Sequence, residues 1–414
     1  MTCRGPARAR RREEARAVEV LPGAAVLLEG ARIAAVGPYA ELAALHPRAV
    51  REEVRGMLYP GFVDCHTHGV FGAPRLDDHQ RRALGETYQA IAALGGGILQ
   101  SVRDVRGRTE DELYRLARAR LDALRAHGAT TVEIKSGYGL DLETELKQLR
   151  VIRRLKQDGS PDVVATFLGA HEVPPEHRSR PESYIASICD QMIPAVAREQ
   201  LAARCDVFCE PGVFTTDASR RILEAARRAG LALTLHADEL EGAGGAELAA
   251  QLGAQSADHL AAISPAGVRA LGGCDTVAVL LPATMTFLGK KTQAPARALW
   301  EAGAAVALAT DFNPGSSPTV SLPFVMSLGV SQLGMRHAEA LTAVTVNASA
   351  ALGLAGERGQ IAAGMRADLV ALDVSDWREA AYWVGANLVT AVWTAGSACR
   401  SISGPISLGG YVET

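Results

Sequence analysis

Between Gly61 and Thr310 the chain repeats one unit, a short apolar run followed by an amphipathic stretch of helical period. The apolar runs fall at 61–66, 131–136, 163–170, 206–210, 231–236, 256–259, 276–281 and 305–310, with a further candidate at 98–102. Runs that are apolar throughout, separated by helices, predict parallel strands with both faces covered. One crossover helix is marked at both ends. Thr109-Glu110-Asp111-Glu112 is a capping box, Leu113, Leu116, Leu121 and Leu124 form a stripe, and Gly128 supplies a stop. Further helices fit at 142–156 and 218–228. In a chain of 414 residues this alternation suits a (β/α)8 barrel. Nine strands are one too many, and Gly95-Gly96-Gly97 ahead of 98–102 suggests a loop there.

Outside the alternation, short β-like pieces occur at 17–21, 24–29 and 32–36, punctuated by Gly30 and Gly37-Pro38. Similar pieces recur at 367–374 and 391–394, so the two ends are expected to form a small β domain together. The expected division is 1–58 and 363–414 for that domain and 59–362 for the barrel. Residues 1–14, with Arg8-Ala9-Arg10-Arg11-Arg12 against Glu13-Glu14, read as a disordered, solvated segment.

A net charge of −3 gives no reason to expect nucleic acid or an anionic membrane as partner. No apolar run approaches the roughly 18–20 residues that span a bilayer. The seven cysteines are odd in number and form no C-x-x-C pair, which predicts a reducing, cytoplasmic setting. Cys65, Cys205 and Cys209 read as core residues.

In a barrel of this kind the chemistry sits where strands end at the C-terminal face. Those ends are conspicuously polar here: Asp64-Cys65-His66-Thr67-His68, Glu133-Ile134-Lys135-Ser136, Gly169-Ala170-His171-Glu172, His236-Ala237-Asp238-Glu239, Ala257-Asp258-His259 and Thr310-Asp311. Five of the ten histidines stand at such ends, which a random scatter would not produce. His66 and His68 share one face of a strand end by the two-residue period. Alone, such a pair reads equally as half of a metal site or as one packed and one solvated histidine. His236 and Asp311 supply company from two other strand ends. The resulting N3O set suits an open zinc or iron site, and it has no thiolate to close it. His259 with Asp311 suits removal of a proton from water, Glu239 suits donation to a leaving atom, and His171 stands nearby. Lys135 is either a carbamylated bridge between two metals or an ion-paired strand residue, and Glu133 two positions before it favours pairing.

These segments resemble the amidohydrolase superfamily: Pro60-Gly61-Phe62-Val63-Asp64 leading into His66-Thr67-His68, then His236-Ala237-Asp238-Glu239, Ala257-Asp258-His259-Leu260 and Thr310 to Pro318. The stretch from Val132 to Glu145, Phe167 to His171 and the Asp311–Pro318 loop are similar to the branch that opens the imidazolone ring in histidine degradation. The similarity runs from about residue 57 to 395. It implies a (β/α)8 barrel with a small β-sandwich, one zinc or iron ion per chain on His66, His68, His236 and Asp311, and a homodimer. It implies Glu239 and His259 as acid–base residues, and Arg75, Tyr138, His171, Glu239, Asn313, Gly315 and Ser316 as substrate contacts. The implied reaction is hydrolysis of the cyclic amide of 4-imidazolone-5-propanoate to N-formimino-L-glutamate. Arg75 offers a fork for the propanoate carboxylate, and Tyr88 stands between the pocket and a helical core position. The alternatives are a single-metal deaminase of the same superfamily, which would release ammonia, and a non-catalytic barrel, which typically loses ligands.

Overall fold

The computed structural model describes residues 1–87, 90–91 and 94–399. Eight parallel strands stand side by side in chain order: β4 (Phe62–Asp64), β5 (Ala129–Lys135), β6 (Asp162–Ala170), β7 (Arg204–Cys209), β8 (Ala232–Ala237), β9 (Ser256–His259), β10 (Val277–Leu280) and β11 (Val306–Leu308). Each ladder is parallel. The expected barrel is therefore the observed fold.

The sheet closes through its C-terminal rim. Just beyond β4 and β11, Asp311 N–H donates to the His66 carbonyl (3.0 Å) and His68 N–H donates to the Phe312 carbonyl (2.8 Å). Thr67 and Phe312 form a parallel bridge between them. One residue below, Thr310 donates from its backbone N–H and its hydroxyl to the two oxygens of Asp64, at 3.0 and 2.6 Å. On the outer, helix-facing side of the strands Val63, Cys65, Val277, Val279, Ala305 and Ala307 pack with Ala348 and Ala351 into one buried cluster, which is where Cys65 belongs, facing away from His66 and His68. Cys205 and Cys209 are likewise buried in the core.

The Glu110–Ala126 helix has the expected capping box, with Thr109 accepting from Glu112 N–H and the Glu112 side chain accepting from Thr109 N–H. The run at 98–102 is not a strand. It opens a helix, Ile98–Gly107, whose Leu99, Val102 and Val105 are buried at helical spacing. Setting it aside as the surplus strand agrees with the structure, but the loop expected there is a helix, since five apolar-leaning residues after a glycine turn satisfy either period.

Both chain ends build the small domain, as the two facing sheets expected of a β-sandwich. β1 (Ala24–Glu29) and β2 (Arg32–Pro38) form a hairpin. β3 (Met57–Pro60), β12 (Leu369–Leu372), β13 (Val389–Thr394) and β14 (Ser397–Cys399) form an antiparallel sheet in the order β14-β13-β12-β3. Ile33, Ile361, Leu369, Ala371 and Trp393 are buried between them, with Val26, Leu28 and Leu58 packed alongside. Residues 17–21 form no strand, whereas Met57–Pro60, which carries little β signal of its own, becomes one by pairing with β12.

Residues 1–14 are not disordered. Met1, Thr2, Cys3 and Arg10 are buried. The Arg10 backbone is clasped by Asn347, whose Oδ1 accepts from Arg10 N–H (2.7 Å) and whose Nδ2 donates to the Arg10 and Val306 carbonyls. The arginine-rich composition looked solvated, but Arg11 and Arg16 find partners on barrel elements at Asp275 and Glu339.

Thr310→Val removes a hydroxyl that serves both Asp64 and Phe312 N–H at the seam. It leaves a buried carboxylate oxygen short of a donor, at a cost of about 1–3 kcal/mol. A lowered urea midpoint with an unchanged m value is the expected result.

Candidate metal centre and substrate pocket

His66 and His68 just past β4, His236 near the end of β8 and Asp311 just past β11 bring four donor atoms together. His66 Nε2 lies 3.6 Å and His68 Nε2 3.5 Å from Asp311 Oδ1. His236 Nε2 lies 3.3 Å from His68 Nε2. Donors about 2.1 Å from a shared ion at tetrahedral angles stand about 3.4 Å apart, so the spacing is that of a coordination shell. His66 Nε2 has no hydrogen-bond partner although it is buried. Two imidazole nitrogens at 3.3 Å with no other use facing each other are likewise what a shared cation explains. The donor set fits zinc or iron, and the side chains could equally group as His66, His236 and His259 or as His68, His171 and His236.

Carboxylates behind the histidines set their tautomers. Asp258 Oδ2 lies 2.6 Å from His66 Nδ1, and Asp206 Oδ2 lies 2.9 Å from His236 Nδ1. A proton held on Nδ1 leaves Nε2 as the free lone pair. Thr284 donates its hydroxyl to Asp311 Oδ2 (2.6 Å), which leaves Oδ1 for the histidine side. Lys135 is ion-paired, with Nζ 2.9 Å from both Glu133 Oε1 and Asp206 Oδ2. Burial alone lowers a lysine's pKa. Here Asp206, Glu133 and Asp258 outweigh burial and hold Lys135 protonated. For Asp206 burial works towards protonation, but His236 and Lys135 overcome it and keep the carboxylate ionised. His236 is raised because Asp206 overcomes burial, whereas burial drives His66, His68 and His259 down.

Above the donors lies a cavity with about 500 Å³ of empty volume. Arg75, Tyr138, His171, Glu239, His259, Asn313 and Ser316 all line it, beside His68, His236 and Asp311. Arg75 is 5 % exposed, and its Nε and Nη1 have no partner. It nests on Gly315, where a Cβ would fall 1.7 Å from Nη2. Gly315 therefore shapes the arginine's seat. Asn313 holds the loop itself, its Oδ1 accepting from Gly315 N–H and Ser316 N–H at 2.9 and 2.8 Å and its Nδ2 donating to the Asp311 carbonyl. His171 Nδ1 lies 2.9 Å from the Gly137 carbonyl, and burial with His236 nearby lowers its pKa to about 3, so it is neutral. Glu239 Oε2 lies 3.7 Å from His259 Nε2. Burial, with Asp311 close by, pushes Glu239 up to about 8. Tyr88 lies outside the described residues.

Every candidate named from sequence except Tyr88 thus meets at one rim. The reading missed Asp206, Thr284 and the orienting role of Asp258. Asp258 stands opposite His236 in the β8–β9 ladder, and Asp206 comes beside His236 only through the pairing of β7 with β8, where its Oδ1 accepts His236 N–H.

Imidazole and carboxylate donors on a parallel barrel, under a pocket with one unpaired arginine, define a metal-dependent hydrolase. Residues 57–399 match the amidohydrolase family, and residues 24–49 match an imidazolonepropionase-like composite domain of bacteria. The chain is 49 % identical over 396 residues to the imidazolonepropionase of Rubrobacter xylanophilus, covering 95 % of this chain and 94 % of that one. It is 45 % identical over 392 residues to that of Porphyromonas gingivalis, covering 94 % and 92 %. The chain belongs to the amidohydrolase family and, within it, to the imidazolonepropionases. Among solved structures, 5-methylcytosine deaminase from Klebsiella pneumoniae shares the fold, with a TM-score of 0.69 at 16 % identity over 92 % of this chain and 94 % of that one.

Partners that orient metal-binding histidines typically contribute 10–100-fold in metal affinity. Asp258→Asn is therefore expected to weaken zinc binding by about that factor. Competition with a chromogenic chelator reads it, and unchanged affinity would refute the orienting role.

Proposed function

We propose that the chain hydrolyses the cyclic amide of 4-imidazolone-5-propanoate to N-formimino-L-glutamate, the step of histidine degradation that the imidazolonepropionases are named for. The observation that carries this reading is Arg75, a buried guanidinium with Nε and Nη1 unpaired, facing the same cavity as the donor cluster. An unpaired buried cation of that shape calls for a planar anion, and the propanoate carboxylate matches it two-pronged.

One zinc or iron ion per chain would be held by His66, His68, His236 and Asp311. When bound it supplies Lewis acidity that polarises the ring carbonyl and acidifies water. The rest is done by side chains. Arg75 fixes the propanoate end. Tyr138 and neutral His171 line the ring's side of the cavity, and His171 Nε2 is left as the acceptor because Nδ1 is committed to Gly137. Asn313, Gly315 and Ser316 form the loop under Arg75. His259, neutral because burial disfavours its charged form, takes the proton of the attacking water together with Asp311. Glu239, protonated at neutral pH, delivers a proton to the ring nitrogen as the carbon–nitrogen bond breaks. Water's hydroxyl ends on the carbonyl carbon, its proton passes to the base, and the nitrogen leaves protonated within the formimino group.

We further propose a homodimer in the cytoplasm, supported by the similarity to the superfamily and by seven free thiols. The proposed domain division is 1–58 with 363–414 around a barrel of 59–362. No helix among the described residues is long and apolar enough to cross a membrane.

Arg75→Ala is expected to raise KM for 4-imidazolone-5-propanoate at least ~100-fold while metal content is unchanged, since an ion-pair clamp is worth a few kcal/mol. An unchanged KM would sink the carboxylate assignment. As pH rises through its pKa Glu239 loses its proton, so kcat/KM falls on the alkaline side. A cation beside it favours the carboxylate, which puts that limb at or below about 8. Glu239→Gln should remove the limb, and a pH–rate profile decides.

A further inference from the structure

Glu210 follows β7 directly, is 3 % exposed, and is not among the residues lining the cavity. Its carboxylate accepts three consecutive backbone N–H groups. Oε2 takes Glu239 N–H (3.1 Å), and Oε1 takes Leu240 N–H (3.2 Å) and Glu241 N–H (2.7 Å). Asp238 secures the far side of the same loop, accepting from Ala243, Gly244 and Gly245 on Oδ1 and from Ala246 on Oδ2. Asp238 itself has a left-handed backbone, φ +50°. The loop holds this turn because buried carboxylates take its amides, and charge-assisted bonds of this kind are about twice as strong as neutral ones. The first of the three amides on Glu210 belongs to Glu239, so the carboxylate sets where the Glu239 side chain leaves the backbone. That side chain ends 3.7 Å from His259.

We infer that Glu210 is a positioning residue that acts on the reaction through Glu239. It neither touches substrate nor holds metal, and its work is to hold the Glu239 backbone so that the carboxyl reaches the leaving nitrogen. This rests on the proton-donor role given to Glu239 above. The two oxygens divide their work unevenly, which makes the idea testable. In Glu210→Gln the amide oxygen keeps the pair of N–H groups at Leu240 and Glu241. The new NH2 then faces Glu239 N–H, donor against donor, and only that bond is lost.

The test compares metal-loaded wild type, Glu210→Gln, Glu239→Gln and the double variant on 4-imidazolone-5-propanoate, with metal content and amide hydrogen exchange measured in parallel. Displacement of a reacting group by about 1 Å costs up to ~100-fold. Glu210→Gln should therefore lower kcat by ~10–100-fold with KM within ~3-fold, unchanged metal content and faster exchange at 239–241. In the Glu239→Gln background the same substitution should change kcat less than ~2-fold, because its target is already gone. Equal losses in both backgrounds, or kcat within ~2-fold of wild type, would overturn the inference. Unchanged exchange at 239–241 would overturn it whatever the substrate, whereas a wild type inactive on imidazolonepropanoate counts against the reaction alone. If Glu210→Gln does not accumulate folded, Glu210→Asp, too short to reach all three amides, enters the same comparison with the same expectations.

Discussion

Closing the barrel and assembling the donor set are one event in this protein. The seam between β4 and β11 is held by Asp311 N–H on the His66 carbonyl and His68 N–H on the Phe312 carbonyl. Those backbone bonds belong to three of the four proposed metal donors. A strand end that slipped in register by one residue would turn His66 and His68 to the other face. The Asp64–Thr310 clasp guards against that slip from below, with both carboxylate oxygens taken. Rim geometry and barrel closure therefore stand or fall together.

Beneath the rim sits a dense set of buried charge. Lys135 meets Glu133 and Asp206, Asp206 meets His236, and Asp258 meets His66. Burying such groups is costly unless each has partners, and replacing them by apolar residues is often no loss in stability. Their placement gives the better reason for them. Asp206 and Asp258 each face the Nδ1 side of a histidine whose Nε2 points to the shared centre. Lys135 balances the accumulated negative charge, so the carboxylates remain acceptors.

Much of the fold was legible in the sequence because both faces of each barrel strand are covered. A strand buried on both faces is mostly apolar away from its rim end, and eight runs read on that basis were found close to their observed bounds. The reading failed where the local signal was weak or shared. Residues 98–102 carry an apolar run that fits either period, and the helix is decided by its packing. Met57–Pro60 is a strand only because β12 lies beside it. Residues 1–14 look solvated by composition, yet Asn347, far away in the chain, supplies the hydrogen bonds that bury Arg10.

The site divides in the same way. Residue type and position at strand ends were enough to single out His66, His68, His236, His259, Glu239 and Asp311, because a metal site and its acid–base groups need imidazole and carboxylate where strands stop. What sequence by itself determined is therefore the alternation, the chemistry at each strand end and the family. Only the tertiary structure decided which nitrogen of His66, His171 and His236 is free, that Thr284 leaves one oxygen of Asp311 to the donors, and that Glu210 holds the loop of Glu239. Those outcomes depend on distances between side chains from different strands, and no local pattern encodes a distance across a barrel.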